Sequence, residues 1–213
     1  MDKKTLNENP FKNYLASGNE RFDKQMEFIA EIDKMTHIMR QTFLLDKSRR
    51  ENDAEHSWHL AVMAQLLGEY CTDTPDINKA LRMVTVHDII EIYAGDTFAY
   101  DTAGYETKAA REKQAADKIF SILPEDQSTQ LRALWKEFEA RLTADSRFAN
   151  CLDRIQPFFH NTLTQGGTWL EHKVSVSAVQ QRMDIVRTTM PIVWEWVQKN
   201  IEAALQNNWL LPN

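Results

Sequence analysis

The stretch Arg82–Asp96, RMVTVHDIIEIYAGD, sets an imidazole beside a carboxylate, His87 and Asp88, in the middle of an apolar run. Burying a charge there is costly unless something pairs with it. A divalent metal ion is an obvious partner, because imidazole and carboxylate are common ligands of transition metals. Two other stretches supply matching groups: His56 in RRENDAEHSWHLA (49–61) and Asp153 in FANCLDRIQPFF (148–159). An isolated His-Asp pair on an apolar helix is more often a core histidine satisfied by a hydrogen bond. Matching groups elsewhere in the chain weaken that plainer reading without removing it.

Working outward, the apolar spacing is mostly i, i+3, i+4, i+7, the signature of amphipathic helices. It predicts a first helix over about Asn19–Leu45 and a second from Asp53, read as its N-cap, to about Cys71. A third runs from Pro75-Asp76 to about Ala94 and carries His87, Asp88 and Glu91. A loop of Asp, Thr and Gly follows (DTFAYDTAGYET). Further helices are expected over KAAREKQAADKIFSIL, ending at Pro124, over Gln127–Arg141, and over Asp145–Thr164 with Asp153. A break at TQGGTW precedes a last long helix, about Val176–Gln206, that Pro191 would kink. No repeat, low-complexity tract or linker interrupts this order, so a single all-α domain is expected.

Composition narrows the classes. The chain has 213 residues, enough for a substantial core, and a net charge of −6. No basic surface is implied, which disfavours nucleic-acid polymers and membrane surfaces as partners. Cys71 and Cys151 lie far apart and form no CxxC pair or disulfide framework. The polar start MDKKTLNENPFKNYLASGNERFDK lacks the apolar segment of a signal peptide, and no apolar run approaches the length needed to cross a bilayer. A soluble, cytoplasmic protein is expected.

On a helix His87 and Glu91, four apart, and Asp88 and Glu91, three apart, share a face. Two nitrogen and two oxygen ligands would suit Mn²⁺, Fe²⁺, Co²⁺ or Zn²⁺ with positions left open for water and substrate. Such an ion acidifies its water and offsets phosphoryl charge. Glu91, with Asp96 second, is the expected general base or water-orienting group.

These motifs resemble the HD-domain metal-dependent phosphohydrolases, all-helical enzymes with the signature H…HD…D. ENDAEHSWHLAVMAQLL, HDIIEIYAGD and LDRIQP look particularly like the branch that includes the bacterial 5′-deoxynucleotidases. The resemblance spans about residues 32–172. It implies an HD-type helical bundle over 1–213, with a metal-binding core at about 32–172 and a C-terminal helix at about 176–206. By that resemblance His56, His87, Asp88 and Asp153 match the metal ligands, Glu91 the catalytic carboxylate, and Asp96 the acid of the GD element. Arg40, in HIMRQTFLL, falls near the arginine that contacts substrate phosphate. The tryptophan that follows this arginine in the deoxynucleotidases has no clear match, since Gln41, Thr42 and Phe43 stand in its region.

Several other residues carry two readings each. Arg49 and Arg50 precede the motif, and Arg50 is kept as a phosphate contact; loop arginines in water are the plainer reading. Lys108 and Arg111 could reach a phosphate or be exposed helix charges. The segment GGTWLEHKVS could close over the site with His172 touching substrate, or be a packed connection around Trp169. His59, three residues after His56, could face the same site; a place behind the site or on the surface is the plainer reading. Trp194, Trp196 and Trp209 are expected in the core or in a homodimer contact. The leading expectation is hydrolysis of a small phosphomonoester, a nucleoside 5′-monophosphate above others, with a divalent ion (Mn, Co, Fe, Mg or Zn). A dNTP triphosphohydrolase, a cyclic-phosphate diesterase and a non-catalytic module stabilised by metal remain alternatives.

Overall fold

The helix that carries the His-Asp pair stops where the pair begins. In the computed structural model, which describes residues 10–213, helix α3 (Ile77–Val86) starts at Asp76, whose side chain accepts the Lys79 N–H. Over 87–92 the backbone tightens: Ile89, Glu91 and Ile92 donate to the carbonyls three residues back. A short helix α4 (Glu91–Ala94) then ends at Gly95, whose φ of +76° favours glycine. The expected single helix to Ala94 is thus two pieces joined by a tight turn.

That turn sits between two cores. Met83 and Val84 face a large cluster with Leu60, Phe148, Leu152, Val179 and Met183, all essentially sealed from water. Val86, Ile89 and Ile90 face a smaller cluster with Phe28, Ala116, Ile119 and Phe120. Each such large side chain contributes about 1.5–3 kcal/mol on burial, so the turn is held by apolar neighbours on both sides.

The other helices are α1 (Glu20–Ile32), α2 (Asp53–Leu67), α5 (Thr102–Phe120), α6 (Glu125–Ala140), α7 (Ala144–Leu163), α8 (Gly167–Glu171), α9 (Val176–Thr189) and α10 (Pro191–Gln206). Three boundaries correct the sequence reading. The first helix ends at Ile32, and a 3₁₀ turn leads into strand β1 (Met39–Phe43), paired antiparallel with β2 (Arg50–Asn52). Thr42 and Phe43 are strand formers, and the tight loop between the strands places Lys47 at φ +58°. Asn52, not Asp53, caps α2, in a capping box with Glu55. Pro191 starts α10 rather than kinking one long helix, as expected of a proline at a first helical position.

Helix α7 runs through the middle, with Asn150 through Gln156 all buried. Its apolar side joins the large core, and its polar side, Asp153 and Gln156 included, turns to the site. Trp194, Trp196 and Trp209 pack against the large core, with the Trp196 ring 5.3 Å from Phe158. Exposed apolar surface lies instead on α2, where Trp58, Val62 and Leu66 form a stripe one turn apart. Among the described residues no helix is long and apolar enough to cross a membrane. The first nine residues of the start that lacks a signal-peptide pattern lie outside the described residues.

Candidate metal centre

Two helices and a turn bring four side chains together: α2 supplies His56, the turn after α3 supplies His87 and Asp88, and α7 supplies Asp153. All four are buried. His56 Nε2 lies 3.3 Å from Asp153 Oδ1 and 3.8 Å from Asp88 Oδ2. His87 Nε2 lies 3.0 Å from Asp88 Oδ2 and 3.8 Å from Asp153 Oδ1. Donor atoms about 2.1 Å from a common ion sit about 3.0 Å apart in octahedral and about 3.4 Å apart in tetrahedral geometry. The 3.0 and 3.3 Å separations fall at those values and the two of 3.8 Å are wider; His56, His87 and Asp88 form the compact group, with Asp153 beside it.

The tautomers fit as well. His87 Nδ1 donates to the Val84 carbonyl at 2.9 Å, while buried Nε2 has no hydrogen-bond partner. His56 Nδ1 faces Gln156 Oε1 at 3.0 Å. The Gln156 amide is oriented by its Nε2, which donates to Glu51 Oε2 at 2.7 Å and lies 3.3 Å from His160 Nε2. His160 Nδ1 in turn donates to the Phe43 carbonyl. In the neutral ring, each site histidine therefore carries its proton on Nδ1 and leaves the Nε2 lone pair turned inward, the arrangement that metal-ligating imidazoles need.

Carboxylates exceed cations here. Burial raises Glu51 to about 7, and burial with the Asp88 charge raises Asp53 to about 8. Burial, then the charges of Asp88, Asp53 and Asp96, holds the Glu91 carboxyl well above its usual range. Glu91 Oε2 is buried without a hydrogen bond. Asp96 is raised by burial and by Asp88 and Asp153. The two imidazoles diverge: burial and the nearby Arg40 charge push His56 down to about 4, whereas for His87 the carboxylates of Asp88 and Asp153 overcome burial and raise it to about 10. Without an ion, a proton on His87 is the cation those carboxylates draw in.

Arg40 reaches the site from β1. Its Nη1 donates to Asp88 Oδ2 at 2.8 Å and to Asp53 Oδ1 at 3.3 Å. Asp53, Asp88 and Glu91 form a second acidic group, but this guanidinium already bridges two of its members. The cluster with both imidazoles is the better cation site.

The cavity beside the cluster holds about 80 Å³ and is lined by Glu91, Asp96, Arg40, Lys108, Arg154 and Arg182 among others. Two expected substrate contacts lie elsewhere. Arg50 pairs with Glu171 at 2.7 Å, stacks on Phe43 and donates to the Gln41 carbonyl. Because β2 pairs with β1, Arg50 is directed to the hairpin's outer side although it lies six residues from His56. His172 is exposed, its ring tilted against Phe98 with centroids 4.3 Å apart, and it lines neither this cavity nor the neighbouring one that Phe98 lines. The segment around it is a packed connection: Trp169 is buried, and Thr168 donates to the Gln41 carbonyl. Arg111 braces the loop through the Ala94 carbonyl and Thr97. His59 lies in a second layer, 3.4 Å from Gln156 Nε2.

Gln156, Asp53 and Glu51 were not anticipated from the sequence. The one available signal was an amide three residues after Asp153, on the same helical face.

The helical scaffold with an H…HD…D cluster defines a class, and the comparisons agree with it. The chain belongs to the HD domain family, whose model matches residues 32–194. The expected all-α bundle of HD type holds, with a two-stranded hairpin added. The chain is similar to a solved Magnetospirillum magnetotacticum protein described as a predicted metal-dependent phosphohydrolase. Identity is 45%, the TM-score 0.86, and the match covers 91% of this chain and 100% of that one. It is also similar to human 5′-deoxynucleotidase HDDC2, 28% identical over 149 residues, 70% of each chain. The Xenopus laevis counterpart is 28% identical over 134 residues, 62% of this chain and 64% of that protein.

Outer-layer partners of metal-bound histidines typically contribute 10–100-fold to metal affinity. Gln156→Leu, which removes the acceptor for His56 Nδ1 while keeping bulk, is expected to weaken Mn²⁺ binding by about that factor in calorimetric titration. Unchanged affinity would show that the amide does not set the His56 tautomer.

Proposed function

We propose that the chain is a metal-dependent phosphohydrolase that cleaves a nucleoside 5′-monophosphate. The observation that carries this reading is the meeting of His56, His87, Asp88 and Asp153, with both imidazole lone pairs turned inward, beside unpaired Glu91 in an open cavity. The names of the human and Xenopus relatives support the substrate class.

In this reading His56, His87, Asp88 and Asp153 hold one divalent ion. When bound, the ion supplies Lewis acidity toward phosphoryl oxygen and lowers the pKa of coordinated water. Glu91 orients the attacking water and accepts its proton; its buried carboxyl, held above the usual range, is a stronger base than a free carboxylate. Asp96 assists from the loop after Gly95. Water oxygen bonds to phosphorus, the bond to the nucleoside 5′ oxygen breaks, and that oxygen leaves with a proton as the free alcohol. Arg40 keeps Asp88 and Asp53 in place and lines the cavity beside Glu91 that receives the phosphate. A purely structural metal is disfavoured, because Glu91 and Asp96 are surplus to a closed ligand set.

The cytoplasm is the proposed location, supported by two thiols that are both free. A second copy of the chain is the proposed partner. Its support is the exposed stripe of Trp58, Val62 and Leu66, since the C-terminal tryptophans are used in the core.

Phosphate release should be metal-dependent across a panel of ribo- and deoxyribonucleoside 5′-monophosphates. Asp88→Asn should lower kcat/KM at least about 10³-fold, as expected for loss of a ligand that positions a catalytic ion. A metal-loaded protein that releases no phosphate from any member would overturn the reading. For the partner, sedimentation should give a dimer for the parent and a monomer for Trp58→Glu; a monomeric parent would remove the claim.

A further inference from the structure

Beyond the carboxylate cluster the sign of the charge reverses. Arg141, Arg154 and Arg182 line both the inner cavity and an outer cleft of about 600 Å³ that opens beside it. The one acidic residue among the cleft's lining, Asp184, is already paired with Arg187 at 2.8 Å. Asp153 is the nearest remaining carboxylate, 3.2 Å from Arg182 and 3.6 Å from Arg154, and it belongs to the metal cluster. Glu139, which lines the inner cavity, is the other carboxylate near Arg141, so three guanidiniums face two carboxylates, one of which belongs to the metal cluster. In a chain of net charge −6, such a local excess of positive charge marks a place for an anion.

The site is built rather than incidental. Arg154 is buried, and its Nη1 donates to the backbone carbonyl and Oδ1 of Asn150 at 2.7 and 2.9 Å. The Asn150 amide is fixed in turn, donating to the carbonyls of Phe138 and Ser146. Arg141 ends α6 in a left-handed conformation, φ +56°, a position where glycine or asparagine is favoured. It is exposed and has no ion-pair partner among the described residues. An arginine placed there against backbone preference, at the join of two cavities, is available to a ligand.

We infer that Arg141, Arg154 and Arg182 form a subsite for a second phosphate group on the substrate, next to the phosphate that is cleaved. Guanidinium suits this role because it binds phosphate oxygens bidentately. The second phosphate is carried on the sugar of the nucleoside 5′-monophosphate, or is joined to the first through an anhydride, in which case the substrate is a 5′-diphosphate in place of the monophosphate. This inference rests on the phosphohydrolase reading above for the position of the first phosphate.

Binding is tested on the full chain carrying Glu91→Gln, which suspends turnover, in excess Mn²⁺. The calorimetric ligands are deoxyadenosine 5′-monophosphate, 5′-diphosphate and 3′,5′-bisphosphate. At least one of the doubly phosphorylated ligands should bind about tenfold or more tightly than the monophosphate, the gain expected of a charge-assisted contact. Which one gains tells whether the second phosphate sits on a chain or on the sugar. Adding Arg141→Asn, which suits the left-handed backbone, should abolish most of that gain. Equal affinities for all three, or a gain that survives Arg141→Asn, overturns the subsite. Phosphate release by the parent protein separates the two claims: turnover of the monophosphate with no affinity gain rejects only the subsite, whereas a gain without turnover of any ligand rejects only the phosphohydrolase reading.

Discussion

The carboxylates of Glu51, Asp53, Asp88, Glu91, Asp96 and Asp153 crowd one water-poor region between α2, the turn after α3, and α7, and Arg40 is the chain's main answer to them. Two unit charges 4 Å apart interact by about 4 kcal/mol at the effective dielectric of a protein site. Burial, with repulsion on that scale added, raises Asp53, Glu91 and Asp96, and the carboxylates draw a proton onto His87. A divalent cation held by His56, His87, Asp88 and Asp153 relieves the same repulsion and needs no proton. The two apolar cores on either side of the turn keep these groups together despite it.

Much of this could be read from the sequence, for a definite reason. His87 and Asp88 stand in an apolar run where ionisable groups are costly, so their presence asked for an explanation, and His56 and Asp153 answered it. Most helices could be read as well, because period and caps are local properties. What could not be read depends on long-range contact. Met39–Phe43 becomes a strand only because Arg50–Asn52 pairs with it, and that pairing aims Arg40 inward and Arg50 outward. Gln156 carries no charge to attract notice, yet it sets the His56 tautomer through its own bond to Glu51. His172 sits near conspicuous glycines, but proximity to a motif along the chain did not bring it to the cavity.

The site is electrostatically two-sided. The inner wall is acidic and suits a cation; the outer wall, with Arg141, Arg154 and Arg182, suits an anion. Asp153 joins the two, accepting from Arg182 through Oδ2 while Oδ1 faces the imidazoles. A phosphorylated substrate spans such a boundary naturally, its reacting phosphate toward the ion and further negative charge toward the arginines. The long helix α7 fixes both sides at once, since Asn150, Asp153, Arg154 and Gln156 lie within two of its turns.

The most direct measurement is anomalous diffraction from crystals grown with Mn²⁺. The account predicts one strong peak bonded to His56 Nε2, His87 Nε2, Asp88 and Asp153, with Gln156 still facing His56 Nδ1. A peak held instead by Asp53, Asp88 and Glu91, or no peak between the two imidazoles, would contradict it.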